Sequence, residues 1–164
     1  MRTIITGIAV CVWLCSSIVT GAYAQNTAGA GGSVDFKLVD LAGKTYQLSS
    51  YRDKQPVLLF FWTTWCPFCL AKLKEMNQGY LDLEKDGVAL LAVNAGEPRS
   101  SVERLARNYG IKYTVLIDEK GSVSEDYHVL GVPTFVLIDK KGAIRYNGNE
   151  YPKALIKQLI SNKK

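Results

Sequence analysis

Two patterns of hydrophobic and polar residues alternate along the middle of this chain. Continuous apolar runs occur at 57–62 and 88–93, and runs of that length are typical of strands buried on both faces of a sheet. Between them, residues 70–83 carry apolar side chains three or four positions apart, which is the spacing of an amphipathic helix. This order predicts a β-α-β unit at the centre of the domain.

Shorter elements flank this central unit. Residues 34–40 and 45–48 alternate like the two strands of an N-terminal hairpin. A further helical pattern runs over 102–109, and Ser100-Ser101-Val102-Glu103 resembles a capping box at its start. The remaining predicted elements are a strand at 114–117, a short helix at 122–127, hairpin strands at 134–138 and 143–146, and a final helix that begins at Pro152. The pattern predicts an α/β sheet with helices on both faces.

The N-terminal residues predict a targeting segment that does not belong to the fold. Arg2 precedes an apolar stretch at 4–19, and Ala22-Tyr23-Ala24 offers an A-x-A cleavage site. We therefore expect a signal peptide at 1–24 and a mature protein in the periplasm or another extracytoplasmic compartment. A membrane anchor that is not cleaved is the alternative, since this segment is just long enough to span a bilayer.

Composition and charge add two limits. Residues 25–33 are small, polar and rich in glycine, which predicts a flexible linker, and 34–164 is long enough for one domain with a sizeable core. The net charge of the whole chain is +5, and its lysines are scattered. Scattered charge is typical of a solvated surface, so we expect no nucleic-acid partner.

Export changes the meaning of the four cysteines. Cys11 and Cys15 fall in the leader, so the mature domain keeps one pair, Cys66 and Cys69. This C-x-x-C pair follows an apolar strand and precedes a helix, a context that indicates a thioredoxin-like redox site. A purely structural bridge is the weaker interpretation, because the loop that it closes is too short to restrict the unfolded chain much.

The cysteine pair lies where a helix begins. Pro67 follows Cys66, and proline suits the first helical position because its missing N–H would be unbonded there. The free N–H groups at a helix N-terminus carry partial positive charge, which favours a thiolate. We therefore predict that Cys66 attacks a substrate disulfide and that Cys69 resolves the resulting mixed disulfide.

Two motifs carry a resemblance to a known family. The stretch Trp62-Thr63-Thr64-Trp65-Cys66-Pro67-Phe68-Cys69 resembles the F-W-x-x-W-C-x-x-C signature of thioredoxin-fold proteins, and Gly131-Val132-Pro133-Thr134 matches their cis-proline loop. From about Asp35 onward, including Asn94-Ala95-Gly96-Glu97, the chain is similar to extracytoplasmic TlpA/ResA-type thiol–disulfide oxidoreductases of the AhpC/TSA-redoxin superfamily. The resemblance implies a thioredoxin fold, a mixed central sheet flanked by helices, with an added N-terminal β-hairpin.

The resemblance also implies roles for residues around the cysteines. Pro133 is expected to follow a cis peptide bond and to face the pair, and the backbone of Val132 is expected to pair with substrate. Trp65, Pro67 and Phe68 are expected to line the substrate site. No cofactor and no resident metal are implied.

Two positions depart from the family pattern. Thioredoxins carry a buried acid at the position of Phe60, and ResA-like relatives carry a glutamate where this chain has Lys72. A carboxylate at either place would accept the proton of Cys69 during resolution. Glu75 is a candidate replacement, but the sequence does not show that it faces inward, so the proton acceptor stays unassigned.

These observations predict a protein-disulfide reductase. The resemblance implies a membrane-embedded thiol electron donor, and substrates such as apocytochromes c or metal-chaperone thiols. An oxidase or isomerase would use the same site, and Pro67-Phe68 differs from the dipeptides of both thioredoxin and ResA, so the direction stays open. Thr63, three residues before Cys66, suggests a thiol peroxidase as a further alternative, and His128 with the two cysteines suggests a copper-binding module.

Overall fold

The computed structural model describes residues 32–161, so the predicted leader and most of the predicted linker lie outside the described residues. The strands are β1 (Lys37–Asp40), β2 (Thr45–Gln47), β3 (Val57–Trp62), β4 (Ala89–Ala95), β5 (Thr114–Asp118), β6 (Thr134–Ile138) and β7 (Ile144–Gly148). The α-helices are α1 (Pro67–Lys85), α2 (Arg99–Tyr109), α3 (Ser122–Asp126) and α4 (Lys153–Ser161), and a 3₁₀ turn spans Leu48–Tyr51. Within 32–161, no helix is both long and apolar enough to cross a membrane.

The strands form one mixed sheet in the order β2-β1-β5-β4-β3-β6-β7. Strand β3 pairs with β4 in parallel and with β6 in antiparallel orientation, and β4 pairs with β5 in parallel. The hairpin of β1 and β2 extends the sheet, because β1 pairs antiparallel with β5. The predicted thioredoxin fold with an added N-terminal hairpin is confirmed.

Both faces of β3 are buried, as its apolar run predicts. No residue of this strand is more than 1% exposed. Alternate residues beginning at Leu58 pack in one layer with α1, α2 and α4, and the others, beginning at Val57, pack in the second layer with α3. The chain moves from β3 to β4 to β5 in one direction across the sheet, so right-handed crossovers place α1 and α2 on the same face.

The start of α2 differs from the prediction. Pro98 is the N-cap residue, and no side chain caps the helix, so the predicted capping box at Ser100-Ser101-Val102-Glu103 is wrong. The extended backbone of Pro98, with ψ at 138°, ends the preceding segment there and lets the helix begin at Arg99. Tertiary contacts fix this start, because the Arg99 guanidinium donates to the carbonyl oxygens of Asp40 and Leu41 at 2.8 and 2.9 Å.

Asp139 organises the turn between β6 and β7. Its carboxylate accepts the backbone N–H groups of Lys141 and Ala143 at 2.9 and 3.0 Å and the Nε of Arg145 at 2.6 Å. Burial alone would raise the pKa of Asp139, but the hydrogen bonds from Ala143, Arg145 and Lys141 outweigh it and hold this pKa below its ordinary value. The turn is therefore stabilised by the ionised carboxylate.

Replacing Asp139 with asparagine is expected to lower the free energy of unfolding at pH 7 by about 1–2 kcal/mol. Because the folded-state pKa is depressed, this stabilisation is present above the unfolded-state pKa and is lost as the pH falls through the folded-state value. Urea denaturation at neutral pH and at about pH 3 measures the difference between the two proteins. Exposed Asp126→Asn is the control, and a difference for Asp139→Asn that is unchanged at low pH would contradict the prediction.

Candidate active site

Residues 63–66, here called the connector, bring Cys66 from the end of β3 to the start of α1. Cys66 is the N-cap residue of α1, and Pro67 occupies the first turn. The Cys66 Sγ accepts the backbone N–H of Cys69 at 3.1 Å, and a disulfide joins the two residues, whose Cα atoms are 5.2 Å apart. In the reduced protein, the same N–H and the helix N-terminus stabilise a thiolate at Cys66.

The two sulfur-bearing residues differ in their surroundings. Cys69 is completely buried, and it packs in the same core layer as Trp62 and Leu73. Cys66 keeps 4% of its surface exposed at the helix N-terminus. An incoming disulfide can therefore reach Cys66 before Cys69.

The loop before β6 lies against the cysteine pair. The peptide bond between Val132 and Pro133 is cis, and the carbonyl oxygen of Val132 lies 3.6 Å from the Sγ of Cys66. Asn149 Nδ2 donates to the carbonyl oxygen of Pro133 at 2.7 Å, and the Thr134 hydroxyl donates to that of Gly131 at 2.6 Å. The structure thus brings the Val132 carbonyl to Cys66, and Pro133 follows it through the predicted cis bond.

Large apolar side chains are exposed on both segments that meet at the disulfide. Trp65 and Phe68 are 70% and 77% exposed, and Leu130, two residues before Val132, is fully exposed. We call these three residues the apolar rim. Sequence analysis did not identify Leu130, because the only signal there is a leucine inside an irregular segment. Exposed apolar side chains such as these mark interaction sites.

The buried acid of thioredoxins has an aromatic replacement here. Phe60 is completely buried and stacks on Phe135, with ring centroids 4.8 Å apart. Glu75 does not fill the role, because its side chain is 56% exposed and pairs with Lys72 at 2.8 Å. Among the described residues, the buried carboxylic acids are Asp118 and Asp139, and both accept hydrogen bonds from turns or helix starts elsewhere. No buried carboxylate of residues 32–161 therefore serves Cys69.

A polar cluster lies behind the connector. Glu97 accepts hydrogen bonds from Thr64 and from Asn94, and sequence analysis had assigned this glutamate to a family segment without a role. Three buried polar atoms of the same region have no hydrogen-bond partner among the described residues: Trp62 Nε1, Thr63 Oγ1 and Asn94 Oδ1.

Thr63 and His128, which suggested the two minor alternatives, lie in different parts of the fold: Thr63 in the connector and His128 just after α3. Thr63 is 4% exposed, and its hydroxyl has no partner within the described part of the chain. His128 is exposed, in a left-handed backbone conformation with φ at 53°. Within residues 32–161, no group of three or more His, Cys, Asp and Glu side chains could hold a metal ion.

Comparisons with known proteins agree with this geometry. Residues 32–147 match the AhpC/TSA family. The chain is 41% identical over 131 residues to the thiol-disulfide oxidoreductase ResA of Geobacillus kaustophilus, covering 79% of this chain and 75% of that protein. It is 40% identical over 147 residues to ResA of Geobacillus thermodenitrificans, covering 88% and 83%. The crystal structure of StoA from Bacillus subtilis superposes with a TM-score of 0.65 at 25% identity, covering 76% of this chain and 96% of that one.

Proposed function

The chain belongs to the AhpC/TSA family, and from this membership and the Cys66–Cys69 pair we propose that it is an exported enzyme that reduces disulfides in partner proteins. Relatives at 40% and 41% identity are thiol-disulfide oxidoreductases by name, which supports the class of reaction. The observation that carries the proposal is the position of Cys66, whose sulfur caps α1 and accepts the N–H of Cys69. The direction of electron flow is our own inference.

The first chemical step takes place at Cys66. In the reduced protein its thiolate attacks one sulfur of a substrate disulfide, so that a mixed disulfide forms and the other substrate sulfur leaves as a thiolate. The N-terminus of α1 holds the attacking thiolate before the reaction. The exposed side chains of the apolar rim lie on the two segments that meet at this sulfur, where a protein substrate can cover them.

The second step consumes the thiol of Cys69. Its sulfur attacks Cys66 in the mixed disulfide, which closes the Cys66–Cys69 bond and releases the second substrate sulfur. No buried carboxylate of the described residues lies ready to take the proton of Cys69. The thiolate released in the first step is a base of matched strength, so it accepts that proton. The second substrate sulfur leaves as a thiolate and takes its proton from solvent.

Substrate backbone is held by the loop before β6. Val132 O lies 3.6 Å from Cys66 Sγ, so an extended segment paired with Val132 would carry its own sulfur to the attack position. Pro133 has no backbone N–H, which leaves this face of the loop to the substrate. Pro67 begins the helix that activates Cys66, and Trp65 and Phe68 contact the flanking side chains of the substrate.

Three further expectations concern the setting of the reaction. The leader at 1–24 would place the domain in the periplasm or another extracytoplasmic compartment. Disulfides are stable in such compartments, so a reductase there depends on a membrane-embedded thiol donor that reduces Cys66–Cys69 again. Apocytochromes c and metal-chaperone thiols are the proposed substrates, since both need free cysteines before they bind haem or metal.

The reduction potential of the Cys66–Cys69 couple tests the direction. Equilibration against thiol redox buffers, followed by tryptophan fluorescence, is expected to give a value near that of thioredoxin, roughly −270 mV. The Cys69→Ser variant, which cannot form the pair, is the control. A value near that of strong oxidants, about −120 mV, would overturn the proposed direction and indicate a protein that makes disulfides.

A further inference from the structure

The carboxylate of Glu97 holds the midpoint of the connector. Its Oε2 accepts the backbone N–H of Thr64 at 2.7 Å, and its Oε1 accepts the Thr64 hydroxyl at 2.5 Å. Oε2 also accepts Asn94 Nδ2 at 2.7 Å. These bonds join two segments 33 residues apart in the chain, and Thr64 is two residues from Cys66. One side chain therefore connects the end of β4 to the segment that presents the nucleophile.

Glu97 is itself held by the sheet. Gly96 has φ at 72°, a left-handed conformation that turns the chain at the end of β4, and its N–H donates to Asp118 O at 2.9 Å. Asn94 is completely buried and pairs with Trp62 across β3 and β4. The carboxylate thus lies on a rigid frame made of three adjacent strands.

The rest of the connector has few polar anchors. The backbone N–H and the hydroxyl of Thr64 both donate to Glu97, while the buried hydroxyl of neighbouring Thr63 has no partner among residues 32–161. Trp65, the next residue, extends its ring into solvent. Without the carboxylate, the buried side of this turn would present unpaired donors, which is costly.

We propose that Glu97 is a positioning residue of the active site. It fixes the connector so that Cys66 and Trp65 meet a protein substrate in one geometry opposite the Val132 carbonyl. This inference rests on the proposed function and deepens it, because it assigns the docking geometry of that same site. Small misplacements of reacting groups are costly in rate, which makes such an anchor consequential.

The two variants Glu97→Gln and Glu97→Ala separate geometry from charge. A glutamine oxygen can accept from Thr64 N–H and Asn94 Nδ2 as Oε2 does, and the glutamine amide can donate to the Thr64 hydroxyl, which accepts as well as it donates. Glutamine therefore keeps the three contacts and removes the charge, whereas alanine removes both.

The test compares both variants with the full-length protein in reduction of insulin disulfides. Glu97→Ala is expected to lower kcat/KM about tenfold or more, while Glu97→Gln stays within about threefold. Hydrogen exchange of the connector peptide is expected to be faster in Glu97→Ala and unchanged in Glu97→Gln. Glu103→Ala is the matched control, since this carboxylate is also half-buried and bonds Arg99 on α2.

Three outcomes would overturn the proposal: full kcat/KM in Glu97→Ala, an equal loss in both variants, or unchanged exchange of the connector. An equal loss would assign the effect to the charge of Glu97. Thermal unfolding of each variant shows whether a loss of activity comes from a loss of folded protein. A Glu97→Ala protein that is folded but has a lowered kcat/KM meets the prediction. If the parent protein does not reduce insulin, the proposed function fails. Hydrogen exchange of the connector and the rate at which an alkylating reagent modifies reduced Cys66 then still report whether Glu97 positions the connector.

Discussion

Replacing Cys66 with serine is expected to reduce the rate of protein-disulfide reduction to background, a fall of about a thousandfold or more. A serine hydroxyl stays protonated at neutral pH, so the helix N-terminus has no thiolate to stabilise there. Turbidity of insulin in the presence of dithiothreitol, corrected for the rate without protein, measures the loss. The substitution exchanges sulfur for oxygen at the N-cap of α1, where serine is a favoured residue, so the fold should persist.

The Cys69→Ser variant is the matched control for this experiment. It keeps the nucleophile and removes the resolving thiol, so it is expected to accumulate a mixed disulfide with the substrate through Cys66. Mass spectrometry without reductant detects this species. Retained activity in Cys66→Ser, or trapping through position 69 in that variant, would contradict the assigned order of attack.

Replacing Phe135 with alanine is expected to lower the free energy of unfolding by about 3–5 kcal/mol. Phe135 is completely buried on β6, where it stacks on Phe60 and meets the Tyr151 ring edge-on at 5.9 Å. Truncation removes these contacts and leaves a cavity between β3 and α4 that the packed layer can only partly close. Denaturant unfolding of the oxidised proteins measures the change.

Phe68→Ala offers a control of the same residue type. Phe68 lies in the first turn of α1 and is 77% exposed, so its removal is expected to change stability by no more than about 0.5 kcal/mol. Comparable losses in the two variants would show that the Phe60–Phe135 stack is not the centre of the core. The control also tests the rim, because it should weaken insulin reduction without weakening the fold.

Most of the fold follows from local sequence. The apolar run at 57–62 and the helical spacing after Cys66 leave little choice of element, and both are confirmed as β3 and α1. The redox site at the cysteine pair could equally be predicted, since C-x-x-C, Pro67 and the preceding strand are contiguous in the sequence. These features depend on neighbouring residues alone, because a continuous apolar run indicates a strand buried on both faces and a proline indicates a helix start without any distant partner.

Features that depend on distant partners could not be predicted. Glu97 accepts hydrogen bonds from Thr64, which is 33 residues away in the chain, and the sequence around neither residue predicts that contact. The start of α2 was misplaced because the hydrogen bonds of Arg99 to the end of β1 and its turn outweighed a local capping motif. Leu130 resembles an ordinary loop residue until the fold shows that it is fully exposed two residues before Val132, whose carbonyl oxygen lies beside Cys66.

The burial of Cys69 has a kinetic consequence. Since Cys66 is the only residue of the described pair with any exposed surface, the proposed reaction accepts and gives up electrons at the same residue. Under the proposed function, donor and substrate therefore compete for the same surface around Cys66, and we expect no ternary complex of the three proteins. Turnover should follow a ping-pong scheme in which an excess of either donor or oxidised substrate slows the reaction, because each can occupy this surface when Cys66–Cys69 is in the redox state that the other one needs.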